Sequence, residues 1–308
     1  MEQRQIGTSG LKVSIVGLGC NNFGWLIDAS ASYPVLAKAL ELGITLFDTA
    51  DVYGDSEVVL GKALGSVRKQ VIIATKFGMP GAGLPGGASR AYVMQATERS
   101  LKRLGTDYID LLYLHRPDKT VPIEETLGAI DDLIRQGKVR HTAASNMSGK
   151  LLSQAHSIAN SKHLHGFIAT QEQMSLLVRA PESALVPTVR ELNIGLIPYF
   201  PLASGMLTGK YRRGNAPARG SRLDAWKQLS TSLLTDQNFD KVERLEAFAA
   251  EHHRSISELA IAWLLAKPYV PSVIAGATKA AQLESNVKAA TWKLTPAEVA
   301  TVEQLAPA

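Results

Sequence analysis

The stretch Thr-Leu-Phe-Asp-Thr-Ala-Asp-Val-Tyr-Gly, residues 45–54, decides how the rest of the chain is interpreted. A short apolar run ends here at Asp48, and Tyr53 follows five residues later. Short apolar runs without alternation are typical of strands that are buried on both faces. Ionisable side chains are seldom buried there without a partner or a function. Residues 45–48 are therefore predicted to form a buried strand whose end carries part of a polar site.

Two later apolar runs end in the same way. Residues 71–75 lead into Lys76, and residues 108–114 lead into His115. Taken singly, a lysine at the end of a strand is most often half of a structural ion pair, and a tyrosine after an aspartate most often packs. Three buried strands that all end next to ionisable groups instead favour one functional site, to which several strands contribute.

Apolar strands and helical patterns alternate along the chain. The predicted strands are 13–19, 45–48, 71–75, 108–114, 139–144, 166–171, 195–199 and 270–275. The predicted helices are 31–42, 56–64, 90–104, 123–135, 149–159, 183–192, 238–252, 257–266 and 279–290. Strand–helix units repeated eight times predict an α/β fold of the TIM-barrel type, a (β/α)8 barrel of roughly 250 residues. No Pro- or Ser-rich linker divides the chain, so residues 1–308 are predicted to form a single domain.

Several segments lie outside this repeat. Residues 4–13 are predicted to form an N-terminal hairpin. Long loops at 22–33, 77–90 and 210–235 are predicted to shape the barrel mouth. The coil at 210–235 is too long for a passive connection, so it is predicted to be a lid or a binding loop. Pro296 opens a short predicted helix near the C-terminal end.

Composition limits the classes of function. The chain has 308 residues, 45% of them hydrophobic, and its polar N-terminal segment leads us to expect no signal peptide. No apolar run approaches the roughly 18 residues of a membrane span. The single cysteine, Cys20, excludes an internal disulfide and fits a cytoplasmic protein. The net charge of +5 comes without a basic stripe, which argues against nucleic-acid binding.

A metal site is not predicted either. The histidines considered lack carboxylate partners at metal-ligand spacing: His163, His165, His252 and His253.

One motif suggests a different fold. Residues 81–86, Gly-Ala-Gly-Leu-Pro-Gly, match the dinucleotide-binding pattern G-x-G-x-x-G, with Asp107 about 20 residues further on. Residues 77–80 separate the motif from the preceding strand, however, and Pro85 removes an N–H group where a backbone should hold a pyrophosphate. A loop over the barrel mouth is the better interpretation.

A single site made of Asp48, Tyr53, Lys76 and His115 makes chemical sense. In a TIM barrel the C-terminal strand ends share one mouth, where active sites lie. Tyr53, with a usual pKa of ~10, is a weak acid, and a lysine cation beside it is expected to lower that pKa while Asp48 fixes the lysine. His115 can hydrogen-bond a carbonyl oxygen. This apparatus protonates an oxygen as a carbonyl becomes an alcohol but supplies no hydride, so a nicotinamide cofactor is implied.

The main chemical alternative uses Lys76 differently. Many barrel lyases use a lysine on a strand as a Schiff-base nucleophile. That role leaves Tyr53 and His115 with less defined functions.

At these residues the sequence resembles the aldo-keto reductase family, over essentially the whole chain. The segments that carry the resemblance are Phe47-Asp-Thr-Ala-Asp-Val-Tyr-Gly54, Leu114-His-Arg-Pro-Asp118 and Thr208-Gly-Lys-Tyr211. The resemblance implies that Tyr53 is the general acid and that Asp48 and Lys76 tune it. It implies that His115 orients the carbonyl group. It also implies an NADPH/NADP cofactor held on the barrel without a Rossmann motif.

The resemblance also assigns a cofactor site. The nicotinamide end would contact Ser145, Asn146, Gln171 and Tyr199, the last by stacking on the ring. The pyrophosphate side would contact Phe200, Leu202, Gly205 and Lys210. The adenosine end would contact Gly276, Lys279, Gln282 and Asn286. Lys279 at a predicted helix N-terminus suits a 2′-phosphate, which favours NADPH over NADH.

Three positions depart from the family pattern. Ala143-Ala144 stands before Ser145 where a glycine is usual, Met174 replaces a common tyrosine, and Ala275 replaces a common proline. None of these belongs to the group of four strand-end residues.

Candidate substrate contacts lie on the predicted mouth loops: Trp25, Phe77, Arg116 and Trp226. A cation at Arg116 would favour anionic substrates. The sequence predicts an NADPH-dependent oxidoreductase that reversibly reduces an aldehyde or ketone, a small molecule, to an alcohol. The alternative is a nicotinamide-binding regulatory subunit that resembles the potassium-channel β-subunits, although the short polar N-terminal segment has no channel-plugging extension.

Overall fold

The computed structural model describes residues 1–219 and 221–308. Its strands are β1 (Gln3–Gln5), β2 (Lys12–Ser14), β3 (Val16–Gly19), β4 (Leu46–Asp48), β5 (Ile72–Phe77), β6 (Ile109–Leu114), β7 (Val139–Ser145), β8 (Ala169–Gln173), β9 (Gly195–Tyr199) and β10 (Val273–Gly276). Its helices are α1 (Ala29–Glu41), α2 (Ser56–Leu64), α3 (Arg90–Leu104), α4 (Ile123–Arg135), α5 (Gly149–Ser161), α6 (Ala180–Ala184), α7 (Val186–Glu191), α8 (Arg222–Ala225), α9 (Lys227–Leu233), α10 (Asp236–Glu251), α11 (Ile256–Leu265), α12 (Ala280–Ala289) and α13 (Pro296–Leu305).

Parallel strands close a barrel. Strands β3 to β9 pair in chain order, and β10 pairs with both β3 and β9, where Ile274 lies opposite Tyr199. The short strands β1 and β2 form a separate antiparallel hairpin, with Arg4 opposite Val13. The predicted (β/α)8 barrel with its N-terminal hairpin is therefore confirmed.

Side chains on the strands alternate between the barrel interior and the surrounding helices. An apolar cluster fills the interior and includes Leu46, Ala74, Leu111, Tyr113, Ala143, Ala169, Ile197 and Ile274. The residues between them pack outward against the helices, as Phe47 and Phe77 do. Because residues two apart on a strand face the same way, the next interior position of each strand lies above this apolar layer, at the mouth.

Local signals set the ends of the outer helices. The side chain of Ser89 accepts a hydrogen bond from the Tyr92 N–H at the start of α3, and Gly105 ends that helix with φ 62°. Glycine adopts this left-handed conformation at little cost. Ser255 and Glu258 form a capping box at the start of α11. Within residues 1–219 and 221–308, no helix has the length and apolar character needed to cross a membrane.

Three predicted elements need correction. The predicted helix 183–192 is divided into α6 and α7, because Pro187 lacks an N–H group and its ring clashes with the preceding turn. The predicted strand 166–171 is β8, which runs further toward the mouth, to Gln173.

The predicted coil at 210–235 contains α8 and α9. Leu229 and Leu233 are four residues apart and both pack on the core, which is a helical spacing.

Candidate active site

Polar side chains replace apolar ones at the mouth end of the barrel. Asp48 lies two residues beyond the interior Leu46, and Lys76 lies two residues beyond the interior Ala74. The same step leads to a polar residue near the mouth end of each strand from β4 to β9: Asp48, Lys76, His115, Ser145, Gln171 and Tyr199. Strand alternation therefore brings the predicted catalytic residues and part of the predicted cofactor set to one ring.

Asp48 and Lys76 form a buried ion pair. Lys76 Nζ donates to Asp48 Oδ1 at 2.5 Å and to the Thr49 carbonyl at 2.8 Å. Burial opposes the charged lysine, but Asp48 and Tyr53 more than offset this, so the pKa of Lys76 lies above its usual value. Lys76 is therefore a cation at neutral pH. A Schiff-base nucleophile must be a neutral amine, so this arrangement disfavours the lyase alternative.

Tyr53 lies between the lysine and the histidine. Lys76 Nζ is 5.2 Å from the centroid of the Tyr53 ring. The His115 ring meets the Tyr53 ring edge-on, with centroids 5.7 Å apart. Burial raises the pKa of Tyr53, and Lys76 offsets only part of that effect. Lys76 acts in the expected direction and lowers this pKa, but desolvation of the phenolate is the larger effect, so the net shift is upward. Tyr53 keeps its proton at neutral pH, as a general acid must.

His115 is a neutral imidazole. Burial, followed by the cations of Lys76 and Arg116, lowers the pKa of His115 to about 3. Its Nδ1 atom is buried and has no hydrogen-bond partner among the residues that the structure describes. A neutral imidazole carries one donor and one acceptor nitrogen. It is thus suited to bind a carbonyl or hydroxyl oxygen without placing another charge beside Lys76.

Gln171 links the acid–base group to the rest of the ring. Its Nε2 atom donates to Asp48 Oδ2 at 2.8 Å. Tyr113 lies in the apolar layer below. Ser145 Oγ donates to the Gln171 carbonyl oxygen at 2.9 Å. The expectation that Gln171 serves the cofactor alone is incomplete, since its amide also holds Asp48.

Asn146 ties three strand ends together. Its Nδ2 atom donates to the His115 carbonyl oxygen at 3.0 Å and to Ser145 Oγ at 3.1 Å. Its Oδ1 atom accepts a hydrogen bond of 2.8 Å from the Tyr199 hydroxyl. Asn146 has a φ of 54°, a left-handed conformation that asparagine tolerates better than most residues. The residues predicted for the nicotinamide end are thus brought together in one network.

The predicted pyrophosphate residues surround a tight turn after β9. Phe200 has a φ of 52° and packs edge-on against Tyr199, with ring centroids 5.2 Å apart. A Cβ atom at Gly205 would lie 2.7 Å from the Lys210 ammonium, so glycine there lets the lysine cross the turn. Leu202 is partly buried in the same segment. The nearby Ser204 hydroxyl is buried without a hydrogen-bond partner among the described residues.

The predicted adenosine residues lie at the end of β10 and the start of α12. Gly276 ends the strand, and Lys279 precedes the helix with an exposed side chain. The Gln282 Oε1 atom accepts from the N–H groups of Thr278 at 2.7 Å and Lys279 at 3.2 Å, so it caps this helix.

Asn286, one turn further along α12, is buried, and its Nδ2 atom has no partner among residues 1–219 and 221–308. The hydroxyl of Ser204, in the turn after β9, is likewise buried without a hydrogen-bond partner among the described residues. Buried polar groups are nearly always hydrogen-bonded, so such atoms are groups that a ligand can satisfy. The pocket residues therefore fit an elongated dinucleotide.

The predicted substrate contacts divide into two groups. Trp25 and Trp226 lie on different mouth loops and meet with ring centroids 6.1 Å apart, and Arg116 is exposed beside His115. Phe77 is a wrong assignment. It is the last residue of β5, faces the helix layer and is 1% exposed, because strand alternation turns it away from the interior-facing Lys76.

The glycine-rich motif at 81–86 forms a loop that folds back on itself. Gly81 and Leu84 exchange backbone hydrogen bonds of 3.1 and 2.8 Å. A Cβ atom at Gly86 would lie 2.7 Å from the nitrogen of Pro80. Backbone groups of the motif are thus engaged in contacts within the loop, which agrees with its interpretation as a mouth loop.

A buried carboxylate behind Tyr53 escaped the sequence reasoning. Asp51 is 4% exposed, and burial, then Glu57, raises its pKa to about 7 against the pull of Arg103 and Arg99. Its charge also raises the pKa of Tyr53. The sequence signal for Asp51 was its position within residues 45–54. That position alone does not distinguish a buried carboxylate from a solvent-facing loop residue.

The fold and the site define a class: a closed parallel barrel with a lysine, a tyrosine and a histidine side by side at its mouth. Residues 15–307 match the family model described as the aldo/keto reductase family. The chain belongs to this family.

Three relatives illustrate the range of names within it. The chain is 38% identical to a probable voltage-gated potassium channel subunit beta of Oryza sativa subsp. japonica, over 94% of this chain and 91% of that protein. It is 37% identical to a protein of the same name from Arabidopsis thaliana, over 99% and 96%. It is also 37% identical to probable aldo-keto reductase 1 of Glycine max, over 98% and 88%.

Proposed function

We propose that this protein is an NADPH-dependent reductase that converts an aldehyde or ketone to an alcohol and runs in reverse with NADP. The proposal rests on one observation. Tyr53 is protonated, lies beside the buried Lys76 cation and packs against the neutral ring of His115. Membership in the aldo/keto reductase family supports an oxidoreductase in general terms.

The chemistry follows from these charges. A carbonyl oxygen placed against Tyr53 and His115 gains negative charge as the carbonyl is reduced. Tyr53 donates its proton to that oxygen, and Lys76 stabilises the phenolate that remains. Asp48 holds the lysine in place through the 2.5 Å contact. The hydride for the carbonyl carbon would come from NADPH when it is bound.

The residues of this chain that would hold the cofactor lie along one path. Ser145, Asn146 and Tyr199 would contact the nicotinamide end, and the exposed Lys279 would contact the 2′-phosphate. The buried unpartnered groups of Ser204 and Asn286 support binding of a polar ligand between these ends. We also propose that the whole chain acts as one domain in the cytoplasm, where its single cysteine stays reduced.

A screen tests the proposal. Purified protein is mixed with aldehydes, ketones, quinones and sugars, and NADPH oxidation is followed by absorbance, with NADH in parallel. We expect turnover on at least one carbonyl class and a lower KM for NADPH than for NADH. Tight NADPH binding without turnover on any class would contradict the assignment as a reductase.

A second candidate function is a regulatory subunit of a potassium channel. It rests on the relatives that carry the name voltage-gated potassium channel subunit beta. The presence of Asp48, Tyr53, Lys76 and His115 does not separate the two functions, because a nicotinamide-binding regulatory subunit of this fold can also retain them. Association with a voltage-gated potassium channel, measured by co-purification and combined with no carbonyl turnover, would favour this candidate.

A further inference from the structure

The turn at Asn146 depends on a residue that sequence reasoning did not select. Asn146 connects the ends of β6, β7 and β9 through its side-chain bonds to His115, Ser145 and Tyr199. Its left-handed backbone directs the following N–H group, that of Met147, away from the barrel ladder. The position of three predicted site residues therefore depends on how this turn is held.

Glu172 holds the turn from behind. Its Oε1 atom accepts a hydrogen bond of 2.8 Å from the Met147 N–H group. Glu172 follows Gln171 on β8, so strand alternation turns its side chain away from the interior ring that Gln171 joins. The Met147 side chain is buried, at 2% exposed, which fixes the other side of the turn. Glu172 can therefore influence the shape of the pocket although its side chain does not line it.

The charge of Glu172 is poorly compensated. Burial raises the pKa of Glu172 to about 7, and the N–H groups of Met147 and Asn146 pull it back only in part. From β9, Tyr199 faces the carboxylate. Burial, then the Glu172 charge, raises the pKa of Tyr199 to about 12, while Arg116 opposes the shift. Tyr199 keeps its proton near neutral pH, so Glu172 is the carboxyl group of this cluster whose charge changes there.

We infer that Glu172 is a positioning residue that fixes the Asn146–Met147 turn and thereby the nicotinamide end of the cofactor pocket. A carboxylate accepts a stronger hydrogen bond from an N–H group than a neutral oxygen does. The turn is therefore held most firmly when Glu172 is ionised. Cofactor affinity should rise as pH increases through the range in which Glu172 loses its proton. The part of this inference that concerns cofactor affinity rests on the proposed NADPH-dependent function.

Two substitutions separate the hydrogen bond from the charge. Glu172→Ala removes the acceptor, whereas Glu172→Gln keeps an oxygen acceptor and removes the charge. Glu191→Ala is the matched control, because Glu191 is an exposed glutamate at the end of α7. NADPH affinity is measured for each protein by isothermal titration calorimetry between pH 5.5 and 8.5. Hydrogen–deuterium exchange of the segment 145–148 is measured without cofactor.

For Glu172→Ala we expect NADPH binding about tenfold weaker at pH 8, together with faster exchange of segment 145–148. For Glu172→Gln we expect a loss of affinity within about threefold at pH 8 and slow exchange. Its affinity should not rise through pH 7, whereas Glu191→Ala, which keeps Glu172, should show the same rise as the unmodified protein.

Different results would contradict the proposed function and the role of Glu172. Wild-type affinity and wild-type exchange in Glu172→Ala would overturn the inference. Failure of the unmodified protein to bind NADPH would overturn the proposed function, and the exchange data would still decide whether Glu172 holds the turn. If Glu172→Ala does not fold, a Glu172→Gln protein that retains the pH-dependent rise in affinity would overturn the inference.

Discussion

The two halves of the barrel mouth are built differently. The proton half lies at the ends of β4 to β6, where Lys76 donates to Asp48, and Asp48 also accepts from Gln171 of β8 across the mouth. The cofactor half extends from β7 to α12 and includes loops, an exposed Lys279 and the unpartnered buried Asn286. The charged Asp48–Lys76 pair of the proton half is thus satisfied by the protein's own groups, and only the neutral His115 Nδ1 is left open there among the groups described above. In the cofactor half the buried amide of Asn286 is left open in the described residues, as expected of a ligand-binding region. Changes in the first should affect turnover most, and changes in the second should affect affinity.

The largest effect is expected for Lys76→Met. The change removes the cation that stabilises the Tyr53 phenolate and leaves Asp48 as a buried charge without its partner. We expect turnover to fall about 10²- to 10⁴-fold and the free energy of unfolding to drop by about 3–5 kcal/mol. Steady-state kinetics and urea denaturation measure the two effects.

Lys241→Met is the matched control. Lys241 is also largely buried, at 9% exposed, and donates to the Pro307 carbonyl oxygen far from the mouth. This control should lose stability but keep its turnover. Equal turnover in both variants would remove Lys76 from the mechanism.

A smaller effect is expected in the cofactor half. Lys279→Ala removes a cation from the predicted 2′-phosphate site, so the KM for NADPH should rise about tenfold while the KM for NADH stays unchanged. Lys288→Ala, at the other end of α12, is the control. If Lys279→Ala raised both KM values equally, the lysine would not read the 2′-phosphate.

The smallest effect is expected for Asp51 and concerns the pH dependence of the protein's thermal stability. The pKa of Asp51 is raised to about 7, so the folded protein binds this proton more tightly than the unfolded chain does. Its contribution to stability is therefore present at pH below about 4 and is lost as pH rises through about 7. Asp51→Asn should reduce this loss and shift Tm upward by about 2–4 °C at pH 8, relative to the wild type, with little change at pH 4. Thermal melts at both pH values test this, and identical pH dependence in both proteins would show that Asp51 does not titrate in this range.

Much of the fold and of the proton half could be predicted from the sequence. Continuous apolar runs mark strands buried on both faces, and alternation then requires Asp48 and Lys76 to share the interior with the apolar layer below them. The same rule excludes Phe77, one residue after Lys76, and applying it strictly would have avoided that error. The rule would also have placed Tyr113 beneath His115.

The remaining features depend on properties that a sequence pattern does not carry. The raised pKa of Tyr53 reflects how far burial outweighs a nearby cation, which only the packed structure determines. The role of Glu172 depends on a single hydrogen bond to a backbone turn of left-handed conformation. The helix at α9 was hidden because the polar residues around Leu229 and Leu233 favoured the interpretation as a coil.

The most direct test of the account is Tyr53→Phe. The change removes one hydroxyl and leaves the ring that packs against His115, with centroids 5.7 Å apart in the unmodified protein. NADPH affinity and carbonyl turnover are measured on the same preparation. The account predicts that turnover falls by at least about 10²-fold while the Kd for NADPH stays within about twofold. Turnover at the wild-type rate would contradict the role of Tyr53 as the proton donor.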